Sequence, residues 1–130
     1  MGEGAGDKRA IHQAVRKELP MSDLIDELQK KSNQLDVALR SFHKNRIALA
    51  EAERKYKEEV SKKALELRDQ GMAVTLIDKV IYGLPTISTL RFQRDCAEAV
   101  YEANQEAINV FKLQMRLIEA QISREWGNPQ

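Results

Sequence analysis

The sequence predicts an all-α fold: an antiparallel coiled-coil helical hairpin of two long helices, joined by a short helical connector and oligomerising into a bundle. Three observations carry this expectation. Glycine occurs only at 2, 4, 6, 71, 83 and 127 and proline only at 20, 85 and 129, so two long tracts contain neither. Nothing inside those tracts removes an amide donor or relaxes the backbone. Ala, Glu, Lys, Leu and Arg make up 61 of the 130 residues, close to the roughly 50% typical of long-helix proteins. Apolar residues also recur seven apart, the repeat of a left-handed seam.

The first helix is expected over about 22–70. Ser22 is positioned to cap its free amides, and Asp23, Asp26 and Glu27 place negative charge at its positive end. Arg68 falls in the last turn, and Gly71 follows as the residue that most readily takes the left-handed closing conformation. The connector spans 71–85. Within it Thr75-Leu76-Ile77-Asp78 resembles a capping box, which predicts a short helix over 76–82 before Gly83 and Pro85. The second long helix is expected over about 86–126. At 1.5 Å per residue each long helix would run roughly 60–70 Å.

In the second helix the two seam series are Ile87, Arg94, Tyr101, Ile108, Met115, Ile122 and Leu90, Ala97, Asn104, Phe111, Ile118, Glu125; nine of these twelve are apolar. The first helix answers with Leu28, Leu35, Phe42, Leu49 and Tyr56, and more thinly with Ala38, Asn45 and Ala52. The polar seam residues Arg94 and Asn104 read as setters of register, with a functional pocket as the alternative reading. A folded-back hairpin predicts that Arg94 pairs with Glu66 or Asp69. Beside the seam lies a second stripe, Cys96, Val100, Ala103, Ala107, Val110, Leu113 and Leu117. One partner helix cannot cover both faces, so the stripe predicts self-association or another protein.

With Lys+Arg 21 against Asp+Glu 20, the net charge of +1 gives no global field for nucleic acid or an anionic membrane. Cys96 is the only cysteine. It excludes an intramolecular disulfide and reads as a small buried apolar residue of a reducing, cytoplasmic compartment. No run approaches the ~18 apolar residues of a membrane span. Residues 1–20 read as a flexible or weakly helical extension, with Ile11 to Leu19 at most a turn or two. They lack a secretory apolar core, and Met21 reads as a possible natural start of a domain at 21–127.

Chemistry finds little footing. No nucleophile elbow, phosphate-binding glycine loop or H-E-x-x-H occurs, so no enzyme, cofactor, metal or small-molecule substrate is expected. Glu98, Glu102 and Glu106 lie four apart with Asp95 nearby, but a bundle metal site normally adds Glu-x-x-His pairs. The reading is a solvated face. His43 reads as a solvated or seam-edge side chain. A basic face on the first helix, Arg40, Lys44, Arg46, Arg54, Lys55 and Lys57, is the alternative functional surface and would meet phosphates. Interleaved Glu51, Glu53, Glu58 and Glu59 weaken it.

Four local motifs suggest a relationship: Gly71 closing a helix, Thr75-Leu76-Ile77 in the connector, Arg94-Ala97-Glu98-Tyr101, and a terminal Arg124-Glu125-Trp126-Gly127. Together, over about 21–127, they resemble small helical-hairpin proteins of unassigned activity encoded by temperate phages and prophages of Gram-positive bacteria. That resemblance implies a phage accessory protein in the bacterial host cytosol, non-enzymatic, acting as an interaction or scaffold module on itself or on a host or phage protein. It supplies no catalytic residue.

Overall fold

The computed structural model describes residues 20–127, and every regular element among them is helical: α1 (Met21–Asp69), α2 (Val74–Val80), a 3-10 turn (Ile81–Gly83) and α3 (Pro85–Trp126). The fold is hairpin-like, with the two long helices packing together. The expectations for the first twenty residues, including a turn over Ile11 to Leu19, concern positions outside the described residues up to residue 19. No helix among the described residues is long and apolar enough to cross a membrane.

Helix ends follow the punctuation, with two corrections. Ser22 does not cap α1. The helix begins one residue earlier, with the Pro20 carbonyl accepting from the amides of Asp23 (3.0 Å) and Leu24 (3.4 Å), which leaves Ser22 exposed inside the first turn. Nor does Thr75 cap the connector helix. Ala73, in extended conformation, precedes α2 and its carbonyl takes the amides of Leu76 and Ile77, each at 3.0 Å. The element expected at 76–82 therefore runs as α2 plus the 3-10 turn. Starting at Val74 places Ile77 and Ile81, four residues apart, on one buried face.

The end of α1 is a full closing motif. The Gly71 amide donates to the Arg68 carbonyl (2.9 Å) and the Met72 amide to the Leu67 carbonyl (3.1 Å). These are the two bonds of a Schellman turn. Gly71 sits at φ +89°, the single positive φ among the described residues, where any side chain is disfavoured. Leu67 and Met72 both pack on the core, the apolar contact that usually accompanies this motif. Pro85 occupies the first position of α3, where its missing amide costs nothing.

Contacts divide the chain into residues 37–108 and residues 1–36 with 109–130. In the first unit the core is Tyr56, Ile77, Ile81 and Ile87, with Val60, Ala64, Leu67, Met72, Leu84 and Leu90 packed against it. Ile87 is 0% exposed. The connector therefore does more than turn the chain, since two of the four central residues come from it. Farther along, Ala38, Leu49 and Ile108 are buried at the positions the seven-residue repeat marks out. In the second unit, Leu24 is buried and Leu28, Leu35, Phe111, Met115, Ile118 and Ile122 are half-buried. The side-chain oxygens of Gln34 and Gln114 are buried there without a hydrogen-bond partner, and nothing in the structure explains this.

Candidate functional site

Within residues 37–108, α1 and α3 meet through polar and aromatic residues as well as aliphatic ones. Asn104 Nδ2 donates to the Ala38 carbonyl at 3.0 Å, while Asn104 Oδ1 accepts from Asn45 Nδ2 at 3.1 Å. Both amides are half-buried. One helical turn away, the rings of Phe42 and Tyr101 lie 5.3 Å apart at 39°, a tilted arrangement favoured by their quadrupoles. The Arg46 guanidinium lies 5.7 Å from the Tyr101 ring centre. Asn104, one of the two polar seam residues singled out from the sequence, is thus hydrogen-bonded to Asn45, which the seven-residue pattern marked only as a thin place in the first helix.

Arg94 behaves differently from expectation. It pairs with neither Glu66 nor Asp69. Its Nη2 and Nε donate to Asp95 Oδ1 at 2.7 and 3.1 Å, and its guanidinium lies 4.7 Å from the centre of the buried Tyr56 ring. The hydrogen bond to Asp95 raises the guanidinium pKa further above its ordinary value, although burial opposes this. Glu66 is meanwhile engaged by Lys63 at 3.1 Å. An aromatic face four to five ångströms away offers the cation a partner that needs no seam carboxylate.

The side of α3 away from this seam carries the predicted stripe. In residues 37–108 its members are Cys96, Val100 and Ala103, all exposed, and half-buried Ala107; Val100 is 54% exposed. The expectation that Cys96 is buried is corrected, because at its position the α3 surface turns away from α1. In the other unit Val110, Leu113 and Leu117 are exposed, Leu117 at 60%. About half of the surface of these side chains stays in water, so part of the free energy available from apolar burial is unused.

The basic face of α1 is partly neutralised. Arg54 donates to Glu51 at 2.9 Å and to Glu58 at 3.2 Å. Its hydrogen bond and charge hold the Glu51 carboxyl below the usual range, and the Arg54 guanidinium is raised in turn. Arg46 lies over Tyr101, and Arg40 is also engaged. Lys44, Lys55 and Lys57 stay exposed and make no ion pair among the described residues. His43 and the carboxylates Asp95, Glu98, Glu102 and Glu106 are exposed. No group of three or more His, Cys, Asp or Glu among the described residues is arranged to hold a metal ion.

One concave site was not anticipated. A groove of about 360 Å³ is lined by Tyr56, Lys57, Val60, Ser61 and Tyr82. It joins one face of α1 to the 3-10 turn, and the sequence signal available for it was an aromatic residue, Tyr82, in a connector otherwise rich in aliphatic residues. Compared with models of protein families, with curated proteins and with solved structures, the chain finds no match.

Proposed function

We propose that this protein is a non-enzymatic interaction or scaffold module, an antiparallel coiled-coil hairpin that acts through the apolar stripe of α3 in the cytosol of a phage-infected bacterium. The observation that carries the reading is the exposure of Val100 in one unit and of Val110, Leu113 and Leu117 in the other. These residues recur at helical spacing beside a seam that already has its own partner. Burial of each such side chain contributes about 1.5–3 kcal/mol, so a second copy, or a host or phage protein, gains by covering them. The phage setting rests on the sequence resemblance.

Light scattering behind size exclusion on the full chain tests this, at low and high salt. A mass above that of one protomer at both salts is expected, because apolar burial is not weakened by salt as ion pairing is. Val100→Asp and Val110→Asp are each expected to lower that mass while keeping the helical signal. An unchanged mass together with an unchanged thermal midpoint in both variants would overturn the reading.

A further inference from the structure

We infer that the groove between α1 and the 3-10 turn is a nucleotide site, in which a base lies on Tyr82 and its phosphate is held by Lys57 and Ser61. The groove, about 360 Å³, is open to solvent on one side, so a ligand lies against its lining and is not enclosed as in a buried pocket. Tyr56 forms the inner wall and is fixed there, with its ring buried and Arg94 4.7 Å from its centre. Tyr82 forms the outer wall and is 46% exposed. The Arg91 guanidinium lies 5.9 Å from the Tyr82 ring centre, which adds positive charge beside an aromatic surface that water still reaches.

The polar groups complete the chemistry. Lys57 and Ser61 are four residues apart on α1, so they share a face of the helix. Neither side chain makes a hydrogen bond or ion pair among the described residues. The lining contains no carboxylate, which disfavours a metal ion or a cationic ligand. An ammonium and a hydroxyl beside an exposed ring match a ligand with a phosphate attached to a flat aromatic group. Base stacking on aromatic side chains is tolerant of base identity. The inference is separate from the stripe on α3, and it narrows the basic face of α1 to the end occupied by Lys57.

Titration calorimetry on the full chain, with adenosine monophosphate, a short oligothymidine single strand and a matching duplex as probes, tests the site. Binding of the mononucleotide or of the single strand is expected, with Tyr82→Ala weakening it about 10-fold or more and Tyr82→Phe close to the parent. Lys57→Gln should weaken it about 3- to 10-fold, and Lys55→Gln, which lies outside the groove, should leave it nearly unchanged. Mononucleotide binding with this pattern identifies a free nucleotide as sufficient; single-strand binding alone identifies a nucleotide within a chain. Absence of binding to either probe at millimolar concentration overturns the inference. So does equal loss in Lys55→Gln and Lys57→Gln with Tyr82→Ala silent, or equal affinity for the duplex, because each would mean diffuse attraction to phosphate.

Discussion

Asn45 and Asn104 face each other from α1 and α3 and share a hydrogen bond of 3.1 Å, with the Asn104 amide also reaching the Ala38 carbonyl. Two polar side chains in a seam weaken it relative to leucine but define which turns of the two helices lie opposite. Replacing one partner strands the other. Asn104→Leu is expected to lower stability by about 1–3 kcal/mol, the cost of an unpaired half-buried amide. The double variant Asn45→Leu/Asn104→Leu is expected to recover the parent stability or exceed it. Urea unfolding of the four proteins measures this coupling; additive losses would show that the two amides do not act as a pair.

Gly71 and Gly83 offer a contrast within one connector. A Cβ built on either meets nothing within 4 Å, but Gly71 alone has positive φ. Gly71→Ala is therefore expected to destabilise by about 1–2 kcal/mol through the backbone, with no steric clash involved. Gly83→Ala should be neutral or stabilising by up to about 1 kcal/mol, since it removes freedom from the unfolded chain. Thermal midpoints of the two variants check the ordering. Equal losses would show that the closing turn tolerates a side chain.

Much of this arrangement was legible from glycine, proline and the seven-residue repeat. Gly71 and Pro85 mark their helix ends because each acts through the backbone, independently of the rest of the fold. Ser22 and Thr75 misled for the opposite reason. A capping side chain acts only if the helix starts immediately after it, and the starts were set by the Pro20 carbonyl and by the burial of Ile77 with Ile81. Asn104 was visible as a polar interruption, whereas Asn45 fell in a strip whose phase drifts. The groove at Tyr82 was hidden because it needs the 3-10 turn folded against α1, a tertiary relationship that local periodicity does not encode.

The contact of Arg94 with Tyr56 separates two explanations for a cation on the seam. If the Asp95 ion pair held it there, Asp95→Asn would be as damaging as loss of the arginine. Asp95 is exposed and adjacent in sequence, and such pairs contribute little. Arg94→Ala is expected to cost about 1 kcal/mol or more, from the lost cation–ring contact and the uncovered Tyr56 face. Asp95→Asn should stay within about 0.5 kcal/mol of the parent. Urea unfolding distinguishes them, and equal effects would return the role to the ion pair.

Arg54 and Glu51 give a prediction in pH. The hydrogen bond from Arg54 and its charge lower the Glu51 carboxyl pKa in the folded protein. A carboxyl depressed on folding contributes stability that is present above its unfolded value and is lost as pH falls through the folded one. Both side chains are solvent-exposed, so water and salt screen the pair, and its effect on global stability is expected to be small. The local titration is the sensitive readout. Carboxyl carbon shifts followed by nuclear magnetic resonance should place the Glu51 midpoint below the ordinary glutamate range, and Arg54→Gln should move it back up. High salt should move it in the same direction. A Glu51 midpoint indifferent to Arg54→Gln would show that this pair does not persist in solution, leaving Glu58 as the carboxylate engaging Arg54.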